Sequence, residues 1–259
     1  YLIYFFIWFF ISYFFYNNSI KQDSDKSERH SLRMWAKSPL FILLFALTLT
    51  FSSFDWIMSL QPHWYSTIFG VYCFSSCFLL SIISIILVSN LLYYKGYLIN
   101  VITVEHLHDL GKYLFGFVIF FAYIAYSQFM LYWYSNIPEE IEFYLHRMHG
   151  DFKIISWIFC FTNFFVPFFM LLSRNIKRNR ILLIICAFYV MFSQILNIFW
   201  LVLPIYSIHL SYIDYFIGVL NFVFIFSSII SFYFFIFSKN HIICVNDSRL
   251  NKSIKFENF

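Results

Sequence analysis

Long apolar segments alternate with short polar connections along the chain. Seven of these segments are long enough to cross a hydrocarbon core of roughly 30 Å. The pattern therefore predicts an all-α, polytopic bundle of seven transmembrane helices, followed by a polar and poorly ordered tail. The predicted spans cover residues 1–16, 39–59, 66–94, 111–135, 152–173, 181–203 and 212–238, and the tail covers residues 239–259.

Three prolines refine these limits. Pro39 is expected in the first turn of its span, where a missing N–H costs little. Pro204 is expected to end the sixth span. Pro167 lies inside the fifth span and predicts a kink, because its ring collides with the carbonyl of Asn163. The side-chain amide of Asn163 is the expected partner for that freed carbonyl.

The composition excludes a water-soluble globule. Apolar residues make up 61% of the 259 positions and charged residues 12%, and this much apolar surface cannot be hidden within one domain. Lipid is the expected environment, and nucleic acid is not an expected partner. With 39 Phe and 20 Tyr but 6 Gly, helix packing is expected to depend on aromatic side chains. Because the chain starts with Tyr inside an apolar run, we expect it to be the C-terminal part of a longer protein.

The distribution of basic residues predicts the orientation. Of the 17 Lys and Arg residues, 15 fall in connections on one side of the predicted spans and only Arg147 and Lys153 on the other. Basic connections stay in the cytoplasm, so the C-terminus is predicted to be cytoplasmic. The outer ends are expected to carry a belt of tryptophans, formed by Trp56, Trp64, Trp133, Trp157 and Trp200.

Neither histidine nor cysteine indicates a cofactor in this chain. All eight His residues fall in connections or at helix ends, whereas a haem held between spans needs imidazoles at membrane depth. The five Cys residues show no iron–sulfur or disulfide spacing. We therefore expect neither a cofactor nor a metal in this chain.

A cluster of titratable residues opens the fourth span: Glu105, His106, His108, Asp109 and Lys112. Three interpretations remain open. The cluster is a salt-bridged helix start, a mouth that collects protons, or a metal site made of imidazole and carboxylate ligands.

Neutral polar residues within the spans suggest a route for protons. Tyr123, Ser127 and Tyr134 share one helical face with Lys112. The alternative is that such residues form ordinary interhelical hydrogen bonds, worth about 0.6 kcal/mol each. The full set of candidates outside the titratable cluster is Asp55, Tyr123, Ser127, Gln128, Tyr134, Asn163, Gln194, Asn197, Asp214, Asn221 and Ser228.

The outer connection over residues 137–151 is rich in acidic residues. Glu139, Glu140, Glu142 and Tyr144 are predicted to dock a partner subunit. The alternative is a solvated acidic loop.

Two stretches carry a family resemblance. At the outer face stand FDWIMSL, residues 54–60, and QPHWYSTIFGVY, residues 61–72. At the inner face stands VEHLHDLGKYLFGF, residues 104–117, followed by AYSQFMLYWYSNIPEE, residues 125–140. Together they resemble the cofactor-free membrane subunit of alternative complex III, a quinol:cytochrome c oxidoreductase, within the set of proteins similar to the polysulfide-reductase anchor. The resemblance covers nearly the whole chain.

The resemblance implies a non-catalytic subunit of the bacterial inner membrane, with about ten helices that include four-helix bundles and with no cofactor of its own. A related membrane subunit would hold the quinol site, and other subunits would hold iron–sulfur clusters and c-type haems. The family is also expected to offer a polar route for protons. The alternatives are an independent secondary transporter and a purely structural anchor. No charged residue lies at the centre of a predicted span, which disfavours ion coupling through charged groups.

Overall fold

The structure is a computed structural model that describes residues 2–25, 27–150, 152–206, 212–244, 246, 247 and 249–257. These residues form helices and no strand. The α-helices are α1 (Leu2–Asp25), α2 (Arg29–Trp56), α3 (Phe69–Tyr94), α4 (Val104–Ser135), α5 (Pro138–Met148), α6 (Phe152–Cys160), α7 (Val166–Leu172), α8 (Arg174–Arg178), α9 (Arg180–Tyr206), α10 (Tyr212–Lys239) and α11 (Leu250–Ile254). A π-helical turn, Phe161–Phe165, joins α6 to α7.

Within the described residues, six helical segments are long and apolar enough to cross a membrane. They are Arg29–Leu60, Phe69–Tyr94, Val104–Ser135, Phe152–Leu172, Arg180–Ile205 and Phe216–Lys239. The predicted all-α, polytopic bundle is thereby confirmed. Helix α1, which contains the first predicted span, is not among the six, and a seventh span stays a prediction.

Four helical segments, here called rods, form the centre of the molecule. They are α3, α4, α9 and the continuous segment from α6 through the π turn to α7. Aromatic pairs hold them together, since glycine is scarce. The rings of Phe78 and Phe117 stack with centroids 4.0 Å apart, and those of Phe159 and Trp200 stack at 4.7 Å. The buried apolar core therefore lies along the axis of a four-helix bundle.

Helices α1 and α2 add to one side of this bundle. Helix α2 packs on α3, and α1 runs antiparallel along α2. The Tyr4 hydroxyl donates to Asp55 Oδ2 at 2.6 Å near one end of this pair. A bond of 3.2 Å joins His30 Nδ1 and Asn18 Oδ1 near the other end. Asp55 thus has an exposed, hydrogen-bonded position at the edge of the bundle.

Helix α10 stands apart from the bundle. None of the residues in its most apolar window is buried, and most of its described side chains are exposed, whereas Ile236 and Phe237 are half-buried. The Asn240 amide, just beyond α10, donates to the Tyr16 hydroxyl at 2.8 Å. The structure therefore does not place Asn221 and Ser228 near the polar residues of α9.

The connections between helices lie at the two ends of the bundle, as expected when successive spans cross a membrane in alternate directions. One end, here called the basic end, holds the α1–α2 and α3–α4 connections, α8 and the tail. An ion pair between Arg178 and Glu105 joins α8 to the start of α4 there, and the Asn246 amide donates to the Asp23 carbonyl at 2.7 Å. The other end, here called the opposite end, holds the α2–α3 connection and α5.

Several helices extend beyond the predicted limits of the spans. Helix α2 begins well before Pro39, and α9 continues past Pro204 to Tyr206. Helix α4 begins at Val104 because Thr103 and His106 form a reciprocal capping box. The tail is not featureless, since it forms α11 and the Ser253 hydroxyl lies 2.9 Å from His106 Nε2.

Pro167 does distort its helix as predicted. The distortion is the π turn, in which the Val166 N–H bonds to the Phe161 carbonyl. The Asn163 amide donates to the carbonyl of Phe159 at 3.1 Å. The expected side chain is thus used, but on a carbonyl one turn earlier than predicted.

Close packing of α2 on α3 generates a test of this arrangement. A Cβ at Gly70 would lie 2.6 Å from Thr50 Cγ2, whereas a Cβ at Gly116 would meet nothing within 4 Å. We expect Gly70→Ala to lower the free energy of unfolding by about 1–3 kcal/mol through overpacking. The matched control, Gly116→Ala, should leave stability unchanged or raise it, because it lowers the entropy of the unfolded chain. Thermal unfolding in detergent micelles measures both, and equal effects would contradict the α2–α3 contact.

Candidate functional site

A set of five polar side chains occupies the interior of the four-helix bundle. We call Tyr72, Ser76, Asn163, Gln194 and Asn197 the amide ladder. The Tyr72 hydroxyl donates to Asn197 Oδ1. The Ser76 hydroxyl donates to Gln194 Oε1 at 2.6 Å, and Gln194 Nε2 donates to Asn163 Oδ1 at 3.0 Å. Three of the four central rods are therefore joined by polar bonds between neutral groups.

The ladder follows from helical spacing. Tyr72 and Ser76 are four residues apart on α3, and Gln194 and Asn197 are three apart on α9, so each pair lies on one helical face. Both faces meet at the seam between α3 and α9, which pack directly on each other. Asn163 reaches the same seam from the π turn. All but the half-buried Ser76 are buried.

Gln128 adds a polar atom to the same interior. Its side chain is buried on the inner face of α4, and its Oε1 has no hydrogen-bond partner among the described residues. A buried amide oxygen without a protein partner is a typical position for an ordered water. The interior thus offers hydroxyls and amides that can order water.

The ladder ends at an apolar section. Ile83, Ile86, Leu114 and Leu183 are all fully buried and fill the bundle between the ladder and the basic end. Polar groups resume at Asn90, whose Oδ1 accepts from Arg180 Nη1 at 3.4 Å. Ser76 and Asn90 are about 21 Å apart along α3 at 1.5 Å per residue. The polar interior therefore occupies the half of the bundle nearer the opposite end.

Arg147 lies at the opposite end of the bundle, in a position here called the cap. Its side chain is fully buried, and its guanidinium donates to three carbonyls: Phe143 at 2.7 Å, Trp200 at 3.1 Å and Leu201 at 2.7 Å. The guanidinium carbon also lies 3.5 Å from the centroid of the Phe143 ring. The Trp200 carbonyl needs this donor, because Pro204 cannot supply the N–H that would pair with it in a regular helix.

Burial determines the electrostatics of this cap. It lowers the pKa of Arg147 to about 9, so the guanidinium is still charged at neutral pH. Arg147 forms no ion pair with a carboxylate of the described residues. Burial also raises the pKa of the neighbouring Tyr144 hydroxyl, which stays neutral. One positive charge is therefore fixed at the end of the polar interior, where it opposes free passage of cations.

The titratable cluster at the start of α4 has the geometry of a salt-bridged helix start. Glu105 pairs with Arg178, and Asp109 Oδ1 lies 2.6 Å from Lys112 Nζ. His106 caps the helix with Thr103. His108 is buried, and its Nδ1 has no partner among the described residues. No group of three or more metal-ligating side chains comes together in the described part of the chain.

The predicted stripe on α4 does not face the ladder. Tyr123 is 64% exposed and Tyr134 is 85% exposed, so both lie on the outer surface of the bundle, and Ser127 is half-buried. Of the polar candidates within this span, Gln128 is the one that points inward. On α10, Ser228 donates to the Phe224 carbonyl at 2.8 Å, and the side chain of Asp214 lies outside the described residues.

The acidic docking candidates divide into two groups. Glu139 and Glu142 are exposed and Glu140 is half-buried, so these carboxylates are accessible to a partner. Tyr144 is 8% exposed and packs against Trp200 and neighbouring rings, so its side chain does not offer a docking contact.

Two members of the predicted tryptophan belt are core residues. Trp64 and Trp200 are both buried. The Trp200 indole donates to the Ser156 hydroxyl at 2.8 Å, and that hydroxyl donates to the Arg147 carbonyl at 2.6 Å. Trp133 and Trp157 are exposed at the surface, as a belt requires.

Sequence reasoning overlooked Tyr72, Ser76 and Arg147 as members of the site. A signal exists for the first two, because their spacing of four residues puts a hydroxyl pair on one face of an apolar helix. Arg147 stands out only as one of two basic residues on its side of the chain.

Comparisons of the chain with models of known families and with curated proteins find no match. The family resemblance carried by the sequence motifs therefore stays a prediction.

The cap at Arg147 generates a double-mutant test. Arg147→Met should lower the free energy of unfolding by on the order of 3 kcal/mol, because the lost bonds and the unpaired carbonyls outweigh relief of the buried charge. In a Pro204→Ala background the restored N–H can pair with the Trp200 carbonyl, so the same change should cost about 1–2 kcal/mol less.

Chemical unfolding in micelles of the wild type, the two single variants and the double variant measures this coupling. The matched control is Lys153→Met, which removes the other basic residue of the same side from an exposed position and should cost within about 0.5 kcal/mol. Strictly additive effects of Arg147→Met and Pro204→Ala would contradict the pairing.

Proposed function

We propose that this chain is a cofactor-free, non-catalytic membrane subunit of a bacterial quinol:cytochrome c oxidoreductase, and that its interior carries protons part of the way across the membrane. The amide ladder is the observation that supports the proton route. The motifs around residues 54–72 and 104–140 support the assignment to the complex. Because 15 of the 17 basic residues lie on one side, the basic end faces the cytoplasm in this proposal.

The ladder suits proton movement through ordered water. Hydroxyls both donate and accept hydrogen bonds, and the amides hold them in a fixed order. From Ser76 through Gln194 to Asn163, each group donates to the next. A proton that leaves the ladder toward the basic end must cross the apolar section, so this section acts as the gate of the route and opens when it hydrates.

Partner subunits supply the redox chemistry in this proposal. A related membrane subunit binds quinol, and other subunits hold iron–sulfur clusters and c-type haems. Exposed Glu139 and Glu142 at the opposite end give this chain an acidic surface for a partner of complementary charge.

The second candidate is an independent secondary transporter. The π turn at Phe161–Phe165 favours it, because transporters bind solutes where a spanning helix is interrupted. The interior amides would then contact a neutral solute instead of water.

Purification from native membranes separates the two candidates. An affinity tag after the tail should recover this chain with partner proteins that show c-type haem absorbance and iron. The washed single chain should show neither. Recovery of the chain alone under mild detergent, with transport of a neutral solute after reconstitution, would contradict membership of the complex.

The ladder itself is tested by proton translocation coupled to quinol oxidation in vesicles. Gln194→Leu keeps the volume but removes the donor and the acceptor that join Ser76 to Asn163. It should lower the proton-to-electron ratio while electron transfer continues. The matched control is Asn221→Leu, which removes an amide from the exposed helix α10 and should leave the ratio unchanged. An unchanged ratio in Gln194→Leu would show that the ladder only joins helices.

A further inference from the structure

Four basic side chains from α4 and α8 lie near His108 at the basic end. Lys112, Lys177, Arg174 and Arg178 are all close enough to act on its charge. Two of them are neutralised, since Lys112 pairs with Asp109 and Arg178 pairs with Glu105. Arg174 and Lys177 form no ion pair with a described residue, so the cluster keeps an excess of positive charge.

Lys177 holds part of this excess charge in a buried position. Lys177 is 8% exposed. Its aliphatic side chain packs against Gly111 of α4, where an added Cβ would lie 2.8 Å from Lys177 Cγ. Its Nζ lies 5.1 Å from the centroid of the Phe115 ring, and burial lowers its pKa. A cation–π contact offsets little of the cost of burying a cation. An anion beside Lys177 would offset much more of this burial cost.

His108 provides an independent indication of a missing ligand. It is also 8% exposed, and its Nδ1 is enclosed without a hydrogen-bond partner among the described residues. Buried polar groups are nearly always hydrogen-bonded in native proteins. An unsatisfied imidazole and an uncompensated ammonium therefore lie in the same small region.

The position of the cluster indicates the source of the anion. Helix α8 connects α7 to α9, and both belong to segments long enough to cross a membrane, so we expect α8 to lie near the depth of the lipid headgroups. Phe169 and Leu172, in the last turns of α7, are exposed large apolar residues directly before Arg174. A ligand that places an anion at the cluster and an apolar chain against α7 matches both surfaces.

We propose that His108, Arg174 and Lys177 bind the phosphate headgroup of an anionic phospholipid from the leaflet at the basic end. The phosphate accepts charge-assisted hydrogen bonds from the two cations, and an acyl chain lies along the exposed surface of α7. Basic pockets between spanning helices recognise anionic headgroups in this way. This lipid site does not depend on the proposed proton route or on the proposed membership of a respiratory complex.

The test uses the full chain in nanodiscs of phosphatidylcholine, with phosphatidylglycerol or cardiolipin added in steps. Anionic lipid should raise the Tm of the wild-type chain, and native mass spectrometry should show that the lipid is retained. The double variant Lys177→Met with Arg174→Gln should lose both effects. Because Lys177→Met removes a buried charge, this variant should be at least as stable as the wild type in phosphatidylcholine alone.

Controls make each outcome decisive. Lys37→Gln with Lys95→Gln removes the same charge from two exposed positions and should keep the full Tm shift. Arg174→Gln alone changes an exposed residue, so this variant should fold and should show a smaller rise in Tm with anionic lipid. A full shift in the double variant overturns the proposal. An equal rise in wild-type Tm with millimolar inorganic phosphate in phosphatidylcholine would overturn the lipid as ligand.

Discussion

Hydrogen-bond satisfaction inside an apolar medium is the constraint on which this structure depends, because a backbone carbonyl in hydrocarbon has no water to accept from. Pro167 and Pro204 both lie inside spanning helices and each withholds one N–H. Near Pro167 the helix forms a π turn and Asn163 caps a carbonyl. At Pro204 the guanidinium of Arg147 pairs with the Trp200 carbonyl. Asn163 and Arg147 thus both lie where a proline inside a helix withholds an N–H.

These local solutions also give the interior its functional character. The side chain of Asn163 donates through Nδ2 to a carbonyl of its own helix and accepts at Oδ1 from Gln194. The residue that compensates for the distorted helix is therefore also a member of the ladder. Arg147 fixes α5, α6 and α9 together and leaves a positive charge at the end of the ladder. A polar half, an apolar section and a charged cap are the parts of a gated path and not of an open pore.

The sequence predicts the fold class well and the inward faces poorly. Apolar runs are sufficient to predict an all-α bundle of helices long enough to cross a membrane, since this signal is local. The inward face of α4 could not be predicted from the sequence, because apolar residues occur on all sides of this helix. Tyr123 and Gln128 are also both tolerated at a surface or in a core. Only the neighbouring helices decide that Gln128 is buried and Tyr123 exposed. Arg147 and Trp200 are 53 residues apart, so no local pattern predicts their contact or the passage of α9 beyond Pro204.

Water access to the ladder is the most direct test of a gated path. Single cysteines at Ser76, in the ladder, and at Ile83, in the apolar section, are introduced into a chain whose five native cysteines are replaced. Sealed vesicles are then treated with a small membrane-impermeant thiol reagent from each side in turn. We predict that Ser76→Cys reacts only from the side of the opposite end and that Ile83→Cys reacts from neither side. A Ser76→Cys chain that resists the reagent from both sides, or reacts from the basic end, would contradict the gated path.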